Sequence, residues 1–401
     1  MIFTLIKNEI IKILKKPKTI IIFSLFLVFV AGMIFIDYKN DEYTRYYNTP
    51  DGKIETLKSQ KSYFESRLKE IDNVSSVDYD STKNQINTIN EKIQKQEQIK
   101  ASGNTKDYWK EDLIEQKEDL NKSLEEGLLT TNEKNNINKR IDEIDTILEK
   151  GKRPVEEWEF NAINFAKGFM ETVGFVILVL GIGAFMSDIV SGESTPATLK
   201  FLLVQPISRG KVILSKFIAV VLVVVTMICG SEILGFLGVG AFKGFNGADE
   251  LVTVGTKYEW TTSEETAEKV ISQVANSGHD ITRAQEIIQM FGLQILFIIT
   301  CCAFIMLIST IFKSSMVSMA VSLIISVGST MICTVPSVGK RIAHLIFLNY
   351  GSPAKIIEGN IAVMFGNTNF AVSFAIALMF IITIISYALS HIVFCKKDML
   401  V

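Results

Sequence analysis

The chain has 401 residues, of which 48% are apolar and 21% are charged, and its net charge is -2. This mixture is too apolar for an average soluble protein and too charged for one buried wholly in a membrane, so the charge must be segregated. The net charge does not indicate any class of partner, and no polybasic face suggests nucleic acid, so we expect no nucleic-acid partner.

The amino terminus predicts a cytoplasmic amphipathic helix over residues 1–18 and a first transmembrane helix over residues 19–36. A secretory signal peptide is the alternative, but the apolar run is longer than a usual signal core and no small-residue cleavage site follows it. Lysines of the first helix can reach lipid headgroups beside an apolar face. That face consists of Ile6, Ile10, Ile11 and Leu14.

Residues 37–164 form a charged insert that contains more than half of the charged residues of the chain. Apolar residues recur in it at heptad spacing, for example at Leu113, Leu120 and Leu124. We therefore expect about four helices in an extracellular hairpin or coiled coil, serving as a gate cover, ligand sensor or subunit contact. A solvated spacer held by local charge pairs is the alternative. All five cysteines lie elsewhere, so no disulfide framework holds the insert.

Five further apolar runs are long enough to cross a hydrocarbon core of about 30 Å as helices. The predicted fold class is therefore an all-α membrane protein with six transmembrane helices and a large extracellular helical insert between the first two. The five further spans are residues 165–185, 217–242, 293–312, 316–335 and 370–394. The segments between them are predicted as a cytoplasmic coupling segment over 186–216, an extracellular loop over 243–292, an extracellular or re-entrant segment over 336–369 and a cytoplasmic tail over 395–401.

The orientation follows from lysine and arginine in the short flanks of the spans. One set of flanks is rich in these residues, and the opposite short loops contain fewer of them. We therefore expect a multi-pass protein of the bacterial cell membrane with both termini in the cytoplasm. The basic residues of the predicted cytoplasmic side are Lys7, Lys12, Lys15, Lys16, Lys18, Lys200, Arg209, Lys211, Lys216, Lys313, Lys396 and Lys397.

The sequence contains no recognisable catalytic or metal-binding constellation. Its three histidines, His279, His344 and His391, are far apart and lack metal-ligand spacing. No phosphate-binding P-loop occurs either, since the glycine-rich stretch at residues 235–244 lacks the lysine-hydroxyl end. We therefore expect a chain that is not an enzyme and takes its energy from a partner or an ion gradient.

Charged residues inside the spans are scarce and indicate a possible transport path. Lys167 and Glu171 lie one turn apart in the second span, either as a relay or as a self-neutralising pair that reaches the headgroups. Glu232 lies within the third span without a partner near it in sequence. It either faces a polar cavity or lies at the outer membrane interface.

The segment between the second and third spans contains a motif, SDIVSGESTPATLKFLLVQPISRGKVILSKF, over residues 187–217. It resembles the cytoplasmic loop of ABC-2 type transporter permeases, with an acidic residue, a Gly-Thr-Leu element, leucines, a Pro-x-Ser-Arg turn and a lysine entering the third helix. Ala197 stands where the family usually has glycine. The matching residues are Glu193, Thr198, Leu199, Leu203, Pro206, Ser208, Arg209 and Lys216.

The resemblance extends to residues 1–36 and about 165–401, without the charged insert. The basic loop near Lys313 and the terminal FCKKDMLV are similar to the family pattern. The stretch RIAHLIFLNYGSPAKIIEGN, residues 341–360, looks like the family's re-entrant external helices.

The resemblance implies the permease subunit of an ABC exporter. Such a subunit binds no cofactor itself. ATP and Mg belong to a separate ATPase chain, and a second permease copy and the lipid bilayer are the other partners. Family analogy makes the substrate amphiphilic or antimicrobial. A sodium-extruding ABC permease and an ATP-independent membrane sensor or scaffold that uses the insert are the alternatives.

The motif also has a physical reading as a coupling element. Leucines such as Leu199 and Leu203 supply an apolar side that docks in a groove of the ATPase. Pro206 fixes a break in the helix, and Arg209 and Lys211 anchor the segment to acidic groups or lipid phosphates. An ordinary positive-inside stop is the alternative.

Overall fold

The computed structural model describes residues 2–70, 77–102, 108–126, 131–174, 177–193, 208–262, 269–334 and 338–396. The chain divides into two compact units. One, the helical bundle, consists of Met1–Ile34 and Asn161–Val401, and the other, the helical insert, is Phe35–Phe160. The described residues are mainly helical, in keeping with an all-α membrane protein.

The amino-terminal helix and the apolar helices form most of the bundle. Their bounds are α1 Ile2–Leu14, α2 Pro17–Tyr47, α7 Ala162–Gly174, α8 Ile177–Met186, α9 Arg209–Lys243, α10 Arg283–Ile311, α11 Ser315–Thr334 and α15 Val372–Lys396.

Within the described part of the chain, four helices are long and apolar enough to cross a membrane, namely α2, α9, α10 and α15. They overlap the predicted spans at residues 19–36, 217–242, 293–312 and 370–394. The predicted span at 316–335 corresponds to α11, whose apolar part, Ser315–Ser329, is shorter.

The predicted span at residues 165–185 is not one straight helix. It consists of α7 and α8, whose axes differ by 62°. Gly174 ends α7 directly against the backbone of a neighbouring segment, where an added Cβ would lie only 1.9 Å from the Gly351 carbonyl oxygen. This close approach is available to glycine alone, and a hydropathy pattern does not reveal it.

Helix α10 is the centre of the bundle and packs against α7, α8, α9, α11 and α15. It begins at Arg283, well before the predicted span, because Thr282 and Gln285 form a reciprocal capping box. Phe297, Cys301 and Cys302 are buried in it, the two cysteines as small apolar side chains.

The predicted loop at residues 243–292 contains two antiparallel strand pairs that sequence analysis did not identify. Their short, mixed-polarity sequences give little alternation to recognise. Leu251 pairs with Thr282 in the first ladder, and Tyr258 pairs with Gln273 in the second. The strands are β1 Leu251–Val254, β2 Tyr258–Thr262, β3 Lys269–Gln273 and β4 His279–Thr282.

The segment predicted as extracellular or re-entrant is built from short helices. Gly359 and Gly366 end two of them in left-handed conformations. The α-helices are α12 Val338–Ile342, α13 Pro353–Glu358 and α14 Ile361–Phe365, and 3₁₀ helices cover Ala343–Leu345 and Phe347–Tyr350.

The helical insert contains α3 Pro50–Glu70, α4 Val77–Ser102, α5 Tyr108–Glu126 and α6 Thr131–Lys150. Helices α3 and α4 pack as one pair, and α5 and α6 as another. Leu113, one of the predicted heptad positions, is buried, and Ile144 of α6 is buried as well. Ion pairs between helices, such as Lys95–Glu115 at 2.6 Å, link α4 to α5.

Candidate functional site

The site is built from the two ends of the coupling segment, residues 186–216. Thr198, Leu199, Leu203 and Pro206 lie outside the described residues. Glu193 is the last residue of a 3₁₀ helix, Ser191–Glu193, and the described chain resumes at Ser208. The contacts of these two ends decide how the segment is held in the bundle.

A single hydroxyl fixes the entry to the coupling segment. Ser309 of α10 is fully buried, and its Oγ accepts hydrogen bonds from the backbone N–H groups of Val190 and Ser191, each at 3.2 Å. The same hydroxyl donates to the Ser187 carbonyl oxygen at 3.0 Å. The one donor and the two acceptor positions of the Ser309 hydroxyl are therefore all occupied. The turn after α8 is tied to the central helix.

Asp188 in the same turn joins the entry to the amino-terminal helices. Its carboxylate accepts from Lys16 Nζ at 3.1 Å and from Lys18 Nζ at 2.9 Å. Burial acts to raise the pKa of Asp188, but the hydrogen bonds and charges of Lys18 and Lys16 outweigh it, so this pKa lies below its usual value. Asp188 is therefore an anion at neutral pH.

The exit of the coupling segment packs against the last turns of α15. Ser208 is the N-cap residue of α9 and is exposed. Arg209 donates from Nη1 to the Cys395 carbonyl oxygen at 3.2 Å, where a helix end favours a cation. Gly210 lies so close to His391 that an added Cβ would be 2.7 Å from the ring Cε1.

Lys216 connects the exit to α1. It is 1% exposed, and its Nζ donates to both carboxylate oxygens of Glu9 at 3.1 Å. The face of α1 that is buried includes Ile13, whereas Ile11 and Leu14 of the predicted apolar face are exposed. Lys216 therefore links α9 to α1 through an ion pair.

Glu232 and Lys167, two of the three candidate transport-path residues, have partners that are distant in sequence. Gln294 Nε2 of α10 donates to Glu232 Oε1 at 2.8 Å. Lys167 forms ion pairs with Glu358 of α13 and with Glu286 of α10. Glu171 lies one turn after Lys167 and is half-buried.

Several residues of these contacts were missed by sequence reasoning, since they come from elements far apart in the chain. Glu9 offered the only useful signal, as an acidic residue on a helix otherwise rich in lysine. Nothing in the sequence alone distinguishes the other residues, which are Ser309, Gln294, Glu286 and Glu358. Within the described ranges, no group of three or more His, Cys, Asp or Glu side chains is placed to hold a metal.

Comparison with known proteins gives one result. Residues 3–399 match the sequence family described as ABC-2 family transporter protein. No curated protein and no solved structure matches the chain.

Proposed function

The chain belongs to the ABC-2 transporter family. We propose that it is the permease subunit of an ABC exporter, and that its segment 186–216 receives the conformational change of a separate ATPase. The ATPase would bind ATP and Mg. Family analogy supports an amphiphilic or antimicrobial substrate and a second permease copy. We place the protein in a bacterial cell membrane with both termini in the cytoplasm, as the distribution of lysine and arginine favours.

The observation that carries this proposal is the anchoring of both ends of the coupling segment. The entry is held by Ser309 of α10 and by the lysines on Asp188, and the exit by Cys395 of α15 and Glu9 of α1. A force applied between these ends reaches α1, α2, α9, α10 and α15. A loop that only marks the inner side of a membrane needs none of these contacts.

Within the segment, the roles of the motif residues stay predictions. Leu199 and Leu203 are expected to dock on the ATPase, with Pro206 as a stiff turn. Glu193 and Thr198 belong to the same family pattern. Arg209 has a contact within the bundle, so we assign it the transfer of force from the docked segment to α15.

The partner is tested by isolating the tagged chain from its native membrane in mild detergent. We expect a chain with a P-loop sequence in a fixed ratio to the permease, together with ATP hydrolysis. A chain that purifies without a P-loop protein and without ATP hydrolysis would exclude the exporter and favour the sensor or scaffold.

A further inference from the structure

Glu232 and Gln294 form a polar contact at an otherwise apolar helix interface. Glu232 of α9 is 3% exposed, and Gln294 of α10 is 1% exposed. The Gln294 Nε2 group donates to Glu232 Oε1 at 2.8 Å. An ionised carboxylate in such a place costs several kcal/mol unless a positive charge or several donors compensate it.

This contact leaves one polar atom of each side chain unused. Within the described part of the chain, Glu232 Oε2 and Gln294 Oε1 are buried without a hydrogen-bond partner. Both atoms are acceptors when Glu232 is ionised, so neither can satisfy the other. Each unmet buried acceptor costs about 1–3 kcal/mol. A proton on Glu232 Oε2 would convert one of these two atoms into the donor that the other lacks.

Charges that could stabilise an ionised Glu232 lie elsewhere. Helix α9 packs against α1, α7, α10 and α15, and α2 approaches it at Gly235 through Val30. Among the described residues, none of the titratable groups on these helices forms a hydrogen bond or ion pair with Glu232. With α2 counted only as far as Ile34, where its part of the bundle ends, those groups are Lys7, Glu9, Lys12, Lys18, Lys167, Glu171, Arg209, Lys211, Lys216, Cys229, Lys243, Arg283, Glu286, Cys301, Cys302, Tyr387, His391, Cys395 and Lys396.

Two cations of this group, Lys216 and Lys167, already form ion pairs with other carboxylates. Lys216 holds Glu9 and lies more than about four turns before Glu232 on α9. Lys167 is paired with Glu358 and Glu286, and Glu286 precedes Gln294 by about two turns, roughly 12 Å along α10. The closest titratable group along α9 is the Cys229 thiol, about one turn before Glu232, which offers no positive charge.

We propose that Glu232 and Gln294 form a proton-binding site inside the bundle. The bound proton completes a two-point acid–amide pair, in which Glu232 Oε2–H donates to Gln294 Oε1 while Gln294 Nε2–H donates to Glu232 Oε1. The proton comes from water, and the O–H bond is the only covalent bond formed. The site fastens α9 to α10, the two helices that also hold the exit and the entry of segment 186–216.

Infrared spectroscopy of the full-length chain in lipid nanodiscs tests the protonation directly. The wild type is compared with Glu232→Gln, and with Glu259→Gln, an exposed carboxylate of β2, as the matched control. We expect a carboxylic-acid C=O band at pH 7 that shifts in D₂O, disappears in Glu232→Gln and persists in Glu259→Gln. A band lost in neither variant, or one present only below about pH 4–5, where an ordinary carboxyl protonates, overturns the proposal.

Thermal unfolding of the same samples separates a proton site from a metal-cation site. Gln at position 232 imitates the neutral acid, so Glu232→Gln should unfold near the wild-type temperature, whereas Glu232→Ala should unfold at a lower one. The folded state binds this proton more tightly than the unfolded state, so wild-type stability relative to Glu232→Gln should fall as pH rises above about 4.3. Equal damage from Gln and Ala, or stabilisation of the wild type alone by NaCl or KCl over choline chloride, would contradict the proton site.

Discussion

At the scale of single residues, basic side chains near the ends of the spans have specific partners. Lys16 and Lys18 hold Asp188, Lys216 holds Glu9, and Arg209 contacts the end of α15. The positive-inside rule explains the side of the membrane on which such residues are placed, but it does not predict which carboxylate each lysine contacts. These contacts make the basic residues part of the bundle.

The contact of the Asp188 carboxylate with Lys16 and Lys18 depends on pH. Because the pKa of Asp188 lies below its usual value in the folded protein, its stabilising effect is present above the unfolded pKa of about 3.9 and is lost as pH falls through the folded pKa. We expect Asp188→Asn to lower the free energy of unfolding by about 1 kcal/mol at pH 7, a modest value because the ion pair is partly exposed. Unfolding in detergent across pH measures it. A deficit of equal size at pH 7 and at pH 3 would mean that the charge of Asp188 is not responsible.

At the scale of elements, α10 organises the bundle through both packing and hydrogen bonds. It packs against α7, α8, α9, α11 and α15, and its Ser309 fastens the turn after α8. The capping box at Thr282 shows why this helix extends beyond its apolar run. A window of hydropathy locates the apolar part of such a helix and misses its polar first turns.

We expect the Ser309 hydroxyl to contribute more to the free energy of unfolding than the hydroxyl of an ordinary buried serine. Ser309→Ala removes the acceptor of two buried N–H groups, so we expect a loss of about 1–3 kcal/mol per donor left unsatisfied. Ser318 of α11 is also fully buried, but its Oγ has no hydrogen-bond partner among the residues that the structure describes, so Ser318→Ala is the matched control and should be neutral or stabilising. Equal losses in the two variants, measured by thermal unfolding in detergent, would show that the Ser309 contacts do not stabilise this turn.

At the scale of the whole molecule, the helical character and the four longest apolar helices could be predicted from hydropathy, because length and apolarity are local properties. The motif also led to the family that residues 3–399 match. The difference in direction between α7 and α8 could not be predicted, and hydropathy does not reveal the close approach of Gly174 to the backbone at Gly351. The partners of Glu232 and Lys167 were likewise set by packing between remote helices.

The central claim is that segment 186–216 transfers the work of the ATPase into the bundle. The most direct measurement follows the ATP-dependent distance between spin labels at two exposed positions, Leu237 of α9 and Ile381 of α15, in the purified permease–ATPase complex. In Arg209→Ala, which loses the contact with Cys395, we expect ATP hydrolysis to continue while the distance change is lost. Lys257→Ala, at an exposed lysine between β1 and β2 and outside the segment, should behave as the wild type. A full distance change in Arg209→Ala, or an equal loss in Lys257→Ala, would contradict the account.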